Sequence, residues 1–194
     1  MLEKFNQYRQ TWTLPLNRHK AINQTQFRFE WVDNLKELQD VQRFRAQQFS
    51  QQFGIKFEDN LDQDIYDFGC EHAVLRDKWS GEIVAYTRLK LFQGHEIGQS
   101  YSAQEFKIVP HLSHLPSIVE IGRTCVHPQF RSGKALSMLW LNMAPKILWS
   151  MRAKYLMGCV SIHLEDNLAR TYYTHRQIQQ LEDHQTIDIR SKRA

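Results

Sequence analysis

The sequence predicts an α/β fold built on one mixed, mostly antiparallel sheet with flanking helices. Three observations support this prediction. Apolar and polar residues alternate as a strand at Phe27–Trp31, and the turn residues 78–81 join two further strands into a hairpin. Between residues 117 and 162, a strand, a helix and a second strand follow one another. Such a unit joins parallel neighbours by a right-handed crossover, so we expect one parallel pair in the sheet.

The first half of the chain supplies a strand, a helix and the hairpin. After the strand at Phe27–Trp31, Asp33 and Asn34 are typical N-cap residues, and the spacing that follows predicts a helix to about Phe49. The predicted hairpin strands are residues 70–76 and 82–91.

The second half alternates between helices and strands. Residues 93–116 form a loop with one short helix at 103–107, and its His111 and His114 lack a third ligand nearby, so no metal site is predicted. The elements that follow are a strand at 117–126, a helix at 133–152 kinked by Pro145, a strand at 155–162, a helix from Asp166 and Asn167 to Leu181, and a short strand at 186–190.

Composition is that of a globular protein. Of 194 residues 42% are hydrophobic and 24% charged, and the sequence shows neither the run of about 18 apolar residues that a membrane span needs nor a signal-peptide pattern. Cys70, Cys125 and Cys159 lie in apolar runs and are expected to be reduced. We therefore expect a cytoplasmic protein with one domain, residues 27–194, preceded by a basic arm, residues 1–26.

The net charge of +4 comes from the start of the chain. Residues 1–28 hold five basic residues against Glu3 alone, and the rest of the chain is balanced. This distribution favours a local contact with an acidic partner or an anionic membrane over general nucleic-acid binding. A solvated tail without a partner explains the same charge equally well.

Two charged features precede the hairpin. Arg45 occupies a core position of the first helix, so it either finds a buried anionic partner or extends to solvent at the helix edge. Taken alone, the second arrangement is preferred. The acidic loop at 58–67 lacks the glycine and glutamate spacing of an EF-hand. It could receive a cationic substrate, pair with buried arginines or stay solvated.

The strand at 117–126 carries two residues suited to chemistry, Glu120 and Arg123. In a regular strand their odd separation places them on opposite faces. A β-bulge near Gly122 would bring both to one site. Glu120 could then act as a general base on an amine, or it could form a structural ion pair with Arg123 or Arg45.

A basic loop follows that strand and leads into a helix. It consists of Arg131, Ser132, Gly133, Lys134 and Ala135. A helix N-terminus that begins in such a loop can hold an anion on its backbone amides.

Together these features resemble the GNAT acyltransferase superfamily. The matches are the element order, Arg45-x-x-x-Phe49, Asp64-x-x-Asp67, Arg88 and Glu120-x-x-Arg123. This set is similar to the branch that contains acyl-homoserine-lactone synthases, long-chain N-acyl amino acid synthases and ornithine N-acyltransferases. Within the branch, residues 120–133 and the following Leu-Ser-Met-Leu-Trp look most like the ornithine acyltransferases of ornithine-lipid synthesis.

The resemblance implies a splayed parallel strand pair, a bulge in the fourth strand and no permanently bound cofactor. The implied donor is acyl carrier protein, which carries the acyl group on 4′-phosphopantetheine. The implied reaction moves a 3-hydroxyacyl chain to the α-amine of ornithine, giving lyso-ornithine lipid, with peripheral contact at the inner membrane. The alternatives are another N-acyl amino acid synthase, an acyl-homoserine-lactone synthase or a catalytically silent binding protein.

The resemblance also implies a role for each candidate residue. Glu120 is the base, and backbone amides near Cys125 and Val126 polarise the thioester carbonyl, with direct transfer favoured over an acyl-enzyme. The implied catalytic residues are Glu120, Arg123, Cys125 and Val126. The implied substrate-binding residues are Arg45, Asp64, Asp67, Glu71 and Arg88, of which the acidic ones receive the δ-ammonium. The implied phosphopantetheine-binding residues are Arg131, Ser132, Gly133, Lys134 and Ala135.

The chain departs from the superfamily pattern in two places. Lys134 and Leu136 occupy the two small-residue positions of the loop, which disfavours the pyrophosphate of coenzyme A and is compatible with a single pantetheine phosphate. Related proteins also continue with more strands after the last helix. We therefore expect either a truncated chain or an abbreviated sheet edge.

Overall fold

A computed structural model describes residues 26–161, 168–181 and 189–192. Within these ranges five strands form one sheet in the order β1-β2-β3-β4-β5. The strands are β1 Phe27–Trp31, β2 Glu71–Asp77, β3 Ile83–Phe92, β4 Ile118–Val126 and β5 Tyr155–Met157. Neighbours from β1 to β4 run antiparallel, while β4 and β5 run parallel. The predicted hairpin and the predicted parallel pair are both confirmed.

The parallel pair diverges after a short contact. Residues 118–120 pair with residues 155–157, and β4 then continues to Val126 without a strand on that side in the described part of the chain. A Cβ added at Gly158 would lie 2.5 Å from the Ile121 carbonyl oxygen, so this close approach requires glycine. The expected splay is therefore present, and β5 is shorter than the predicted strand at 155–162.

Helices cover both faces of the sheet. The first, α1, begins after Asn34, whose side chain accepts a 2.9 Å hydrogen bond from the Glu37 amide, and ends at the left-handed Gly54. It extends one turn beyond the predicted end at Phe49 because Gly54 is the residue that adopts the capping conformation. The helices are α1 Leu35–Phe53, α2 Tyr101–Glu105, α3 Val109–Leu112, α4 Lys134–Pro145 and α5 Leu168–Leu181.

The predicted kink at Pro145 takes the form of a change in helix type. The α-helical part of α4 ends at this residue, and Lys146–Ser150 continues as a π-helical turn. Proline lacks the amide hydrogen that the regular pattern needs, so the bonding changes there.

The sheet separates two layers of different character. On the α4 face, Leu75 and Val119 pack in an apolar cluster with Leu139. Burial of a side chain of this size contributes about 1.5–3 kcal/mol. On the α1 face, Val41 and Tyr86 pack in a smaller cluster, beside buried arginines and aspartates. The candidate site lies on the α1 face.

Several predicted features fall outside the described residues. These are the arm before Gln26, the cap at Asp166 and Asn167, and residues 186–188 of the last strand. Ser191 forms a single antiparallel bridge with Phe106. In the described ranges, no helix has both the length and the apolar character needed to cross a bilayer.

Candidate active site

A β-bulge interrupts β4 at Arg123 and Thr124. Only Thr87 of β3 lies opposite these two residues. The hydroxyls of Thr87 and Thr124 are 2.7 Å apart, and Arg123 has a φ of 54°, in the left-handed region. The extra residue shifts the alternation of β4 by one position, so Arg123 lies on the same face as Glu120. The predicted bulge near Gly122 is confirmed.

Arg45 is completely buried beneath this face. Its Nη1 lies 2.7 Å from Asp67 Oδ1, its Nε lies 3.1 Å from Asp62 Oδ2, and its Nη2 donates to the Asp62 carbonyl. The Tyr86 hydroxyl accepts a further bond of 3.1 Å from Nη1. The preferred expectation that Arg45 extends to solvent is wrong, because the acidic loop supplies the partners that a buried guanidinium requires.

Arg88 and Arg123 extend this pairing towards the surface. Arg88 Nη1 is 2.6 Å from both Asp64 Oδ1 and Asp67 Oδ1, and Arg123 Nη2 is 3.2 Å from Asp64 Oδ2. Three arginines therefore face three aspartates with no formal net charge. The six residues are termed the charge cluster: Arg45, Asp62, Asp64, Asp67, Arg88 and Arg123.

Burial and ion pairing act in opposite directions on the aspartates of the cluster. Burial raises the pKa of Asp67, but the hydrogen bond and charge of Arg45 outweigh it and hold this pKa well below its usual range. The same balance, with Arg88 as the main partner, lowers the pKa of Asp64. At Asp62 burial outweighs the attraction of Arg45, and the pKa is raised. Asp64 and Asp67 are therefore held as carboxylates.

This arrangement changes the expected acceptor contacts. Asp67 is 3% exposed, and its oxygens accept from Arg45, Arg88 and Gln42, so it is not placed to touch a substrate directly. Arg45 is equally inaccessible. Asp64, with a side chain 20% exposed, is the aspartate of the cluster that reaches the surface of the site.

Glu71 lies away from the cluster. Its carboxylate is 2.7 Å from Lys146 Nζ, which itself lies 4.5 Å from the centroid of the Trp31 ring. Strand alternation places Glu71 on the same face as Ala73, which packs in the α4 layer. The expectation that Glu71 joins Asp64 in binding the acceptor is therefore corrected: its side chain points to the opposite side of the sheet.

Glu120 lies at the last paired position of β4 and β5. Its Oε1 accepts a 2.7 Å hydrogen bond from the Ser102 amide, and its Oε2 accepts one of 3.1 Å from the Tyr101 amide. In the described part of the chain neither Arg45 nor Arg123 pairs with it. The alternative of a structural ion pair with either arginine is therefore wrong, and the half-buried carboxylate is oriented by two backbone donors among the described residues.

Tyr101 connects Glu120 with the charge cluster. Its amide binds the Glu120 carboxylate, and its ring centroid lies 5.9 Å from Arg123 Cζ and 5.7 Å from the Tyr66 ring. Ser102, whose amide also binds Glu120, accepts a 3.3 Å contact from the Cys159 thiol on its hydroxyl. The face between β4 and α2 thus combines one carboxylate, one guanidinium and aromatic rings.

Cys125 and Val126 differ in the groups that they direct towards the candidate site. The Cys125 thiol is buried, and burial raises its pKa far above the usual range, which makes it a poor nucleophile. The His127 amide donates to the Val84 carbonyl on β3 at 2.8 Å. Because amide directions alternate along a strand, the Cys125 amide also faces β3, and the Val126 amide faces the gap left by β5.

A cleft of about 250 Å³ opens between α1, the end of β4 and the start of α4. The Arg131 side chain lines the cleft, and its Nε donates to the Val126 carbonyl at 3.0 Å. Gly133 precedes α4 with a φ of 89° and places no side-chain cap over the first amides of the helix. The lining residues are Gln52, Thr124, Cys125, Val126, Phe130, Arg131, Gly133 and Leu136.

The predicted phosphate-binding residues divide into two groups. Arg131 and Gly133 line the cleft, while Ser132 is exposed and Ala135 is buried in the α4 layer. The Lys134 ammonium lies 5.7 Å from the centroid of the Phe27 ring. In this region the backbone amides at the start of α4, together with Arg131, are the groups suited to an anion.

Comparison with known families identifies the family of the chain. The model of an acetyltransferase (GNAT) domain matches residues 44–141, about half of the chain. The chain belongs to the GNAT acetyltransferase family. The matched region of this GNAT chain contains the charge cluster, Glu120 and the residues that line the cleft.

Two curated relatives are named L-ornithine N(alpha)-acyltransferase. The protein from Rhodobacter capsulatus is 32% identical over 142 residues, which are 68% of this chain and 54% of the relative. The protein from Brucella abortus is 24% identical over 143 residues, or 65% and 49% of the two chains. The chain thus spans about half the length of the curated relatives it matches.

A solved structure supports the same fold. The crystal structure of the AHL synthase LasI aligns with a TM-score of 0.52 and 11% sequence identity, covering 80% of this chain and 78% of that one. At this identity the likeness concerns the fold alone.

Some residues of the candidate site were not predicted. Asp62 lies in the acidic loop, where its charge alone does not separate it from its neighbours. Gln52 follows Arg45 by seven residues, and helical spacing could have placed both on one face. Tyr101 and Ser102 hold Glu120 through backbone amides, a contact that leaves no signal in the side-chain pattern.

Proposed function

We propose that this chain transfers a 3-hydroxyacyl group from acyl carrier protein to the α-amine of ornithine, giving lyso-ornithine lipid in the first step of ornithine-lipid biosynthesis. The observation that carries this proposal is the position of Glu120. Its carboxylate lies where β4 and β5 diverge and is oriented by two backbone amides. The names of the two relatives support ornithine as the acceptor.

Glu120 acts as the general base in this reaction. It takes a proton from the α-ammonium, directly or through one water, and the amine lone pair then forms a C–N bond with the thioester carbon. The Val126 amide stabilises the oxyanion of the tetrahedral intermediate. The C–S bond breaks as the intermediate collapses. Of the two protons lost by the ammonium, one goes to the pantetheine thiolate and one reaches water through Glu120.

The phosphopantetheine arm of the donor occupies the cleft. Its thioester lies near Val126, and its phosphate meets the uncapped first amides of α4 and the guanidinium of Arg131. Leu136 lines the cleft at a position where the superfamily pattern has a small residue. This narrower end favours the single phosphate of a carrier protein over the pyrophosphate of coenzyme A.

The acceptor is held between Glu120 and the charge cluster. Asp64 binds the δ-ammonium, since it is the aspartate of the cluster with an exposed edge. Arg88 fixes Asp64 through contacts of 2.6 and 3.0 Å and thereby positions it. Arg45 and Asp67 support this arrangement from below without touching the substrate.

The surface around the cleft suits an acidic carrier protein. Arg131 is exposed at the cleft. Arg152 and Lys154 are exposed before β5, which pairs with the start of β4, so they lie at the other end of β4 from the cleft. Arg131 at the rim would attract the acidic partner and help to align its pantetheine arm with the cleft.

Peripheral contact with the inner membrane forms a further part of the proposal. Residues 134–161 contain four basic residues and no acidic one, and Leu141, Leu148 and Trp149 expose more than half of their surface there. Exposed aliphatic and aromatic side chains among cations fit the interface of an anionic bilayer. An amphiphilic product could leave the enzyme at such a surface.

The proposal is tested by turnover with purified components. The chain is incubated with 3-hydroxyacyl-acyl carrier protein and labelled ornithine, and the release of lyso-lipid is measured. Glu120→Gln should lower kcat by about 10²- to 10⁴-fold, because the amide cannot accept the proton. Glu82→Gln, at an exposed glutamate of the hairpin turn, is the matched control and should keep the normal rate.

Three results would contradict separate parts of the proposal. Full activity of Glu120→Gln would remove the general-base role. Acylation of lysine, glycine or tyrosine at the rate of ornithine would overturn the assignment of the acceptor. The absence of any product with a folded chain would favour a catalytically silent binding protein.

A further inference from the structure

Arg123 is the least tightly bound arginine of the charge cluster. Arg45 and Arg88 each place a nitrogen 2.6–2.7 Å from a carboxylate oxygen, whereas Nη2 of Arg123 lies 3.2 Å from Asp64 and 3.4 Å from Asp62. Its Nε is buried and has no hydrogen-bond partner among the described residues. The guanidinium therefore retains donor capacity that the described part of the chain does not use.

Aromatic rings fix the guanidinium of Arg123 in place. Its Cζ lies 5.6 Å from the centroid of the Phe49 ring and 5.9 Å from that of Tyr101. The side chain is 27% exposed, compared with 5% for Arg88 and none for Arg45. A guanidinium that is held by rings and remains partly exposed is suited to bind a carboxylate.

We propose that Arg123 binds the α-carboxylate of the acceptor amino acid and so directs its α-amine towards Glu120. This inference rests on the proposed function and names how its acceptor is recognised. Glu120 and Arg123 both border Tyr101, one at its amide and one at its ring. The α-amine and α-carboxylate are attached to a single carbon, so one amino acid bridges two side chains that share this neighbour.

The charges on this face favour a zwitterionic acceptor. Glu120 is negative, Arg123 positive and Asp64 negative, and ornithine offers an α-ammonium, a carboxylate and a δ-ammonium in complement. A phosphate at Arg123 would instead approach the carboxylates of Asp62 and Asp64, which lie within 3.4 Å of Nη2. The carboxylate of an amino acid, accompanied by its own ammonium groups, avoids this repulsion.

The β-bulge places Arg123 on the face where it could bind the acceptor. In a regular strand Arg123 would face the α4 layer, away from Glu120. The left-handed conformation of Arg123, with its φ of 54°, is unfavourable for a residue with a side chain and persists where the surrounding structure requires it. The role of Arg123 in acceptor binding gives this strained position a function.

The test compares four acceptors with the unaltered chain. Ornithine has all three charges, ornithine amide replaces the carboxylate with a carboxamide, putrescine lacks the carboxylate, and norvaline lacks the δ-ammonium. With 3-hydroxyacyl-acyl carrier protein as donor, kcat/KM for ornithine amide and putrescine should be about 10- to 100-fold below that for ornithine. The α-ammonium of ornithine amide loses its proton more readily than that of ornithine, so a larger fraction is free amine at neutral pH, and a lower kcat/KM would report lost recognition and not a shortage of the nucleophile.

The variant Arg123→Gln assigns this discrimination to the residue. In this variant the ratio of kcat/KM for ornithine over ornithine amide should fall to about one, while the ratio for ornithine over norvaline stays high. If the role of Arg123 were purely structural, the variant would lower kcat/KM for all four acceptors by the same factor and leave both ratios unchanged. Arg43→Gln, at an exposed arginine of α1, is the matched control and should keep both ratios at their original values.

The outcomes separate the inference from the function on which it rests. Equal kcat/KM for ornithine, ornithine amide and putrescine in the unaltered chain would overturn the role of Arg123 and leave N-acyl transfer intact. No product from any of the four acceptors would overturn both. Should Arg123→Gln fail to fold, as judged by circular dichroism, Arg123→Lys takes its place: it keeps the positive charge but loses the planar guanidinium, so the ratio of kcat/KM for ornithine over ornithine amide should fall, and an unchanged ratio would overturn the role of Arg123.

Discussion

Arg45 Nη1 lies 2.7 Å from Asp67 Oδ1, and both side chains are almost completely shielded from solvent. The pair joins α1 to the loop before β2, and Asp67 continues the contact to Arg88 on β3. A charge that loses its partner in such a place stays desolvated, so the pair holds these elements in one arrangement. Buried ion pairs thus hold together the elements beneath the candidate site.

Breaking this pair should destabilise the fold strongly. We expect Asp67→Asn to lower the free energy of unfolding by about 3–5 kcal/mol, because three arginines of the cluster would then face only two aspartates and leave a buried positive charge in excess. Urea denaturation measures the change. Asp40→Asn removes an exposed partner of Arg43 and should cost less than about 1 kcal/mol. Similar values for the two variants would contradict the structural role of the cluster.

Stability should also fall in acid. Asp67 and Asp64 have folded-state pKa values below the unfolded value of about 3.9, so the unfolded chain takes up protons first as the pH falls. Their contribution is therefore complete above about pH 5 and is lost progressively below about pH 4. The raised pKa of Asp62 has the opposite sign and offsets part of this effect.

The measurement for this prediction is urea denaturation at about pH 6 and about pH 3. The difference in unfolding free energy between the two should be smaller in Asp67→Asn than in the unaltered chain, because the titrating group is gone. An unchanged difference would show that Asp67 does not carry the acid sensitivity.

The close contact at which the pairing of β4 and β5 ends should depend on Gly158. A methyl group there would lie 2.5 Å from the Ile121 carbonyl oxygen, so the backbone must shift to accept it. We expect Gly158→Ala to destabilise the fold by about 1–3 kcal/mol and to reduce acyl transfer. Thermal unfolding gives the first quantity. Gly98→Ala, whose methyl group would meet only a Val109 side chain at 3.7 Å, should be tolerated, and equal losses would count against this explanation.

The burial of Cys125 predicts direct transfer. Its thiol is enclosed in the α1 layer with a raised pKa, so no acyl-enzyme should form there. Intact-protein mass spectrometry after rapid quenching with donor alone should find only the unmodified chain. A mass increase equal to one acyl group, mapped to Cys125, would require a two-step mechanism.

Much of the fold could be predicted from local patterns. The cap at Asn34, the hairpin turn and the strand–helix–strand unit each have a signature over a few residues, and all appear as expected. The bulge was implied by the family resemblance, and the odd separation of Glu120 and Arg123 showed that the two could share a face only with such a shift. These features depend on near neighbours in the sequence, where single-residue preferences are informative.

The charge cluster and the location of Glu71 could not be predicted from local sequence patterns. Whether Arg45 is buried depends on Asp62 and Asp67, which are distant in sequence and reach it only after the loop has folded. Glu71 has the same charge as Asp64, and only the alternation of β2 relative to α4 assigns it to the other face. Tertiary contacts decide such cases.

The most direct test of the central claim is the structure of the product formed from ornithine and 3-hydroxyacyl-acyl carrier protein. Tandem mass spectrometry separates acylation at the α-nitrogen from acylation at the δ-nitrogen. The position of Glu120, with Arg123 and Asp64 beside it, predicts a product acylated at the α-nitrogen with a free δ-amine. A product acylated at the δ-nitrogen, or no acylated ornithine at all, would contradict the account.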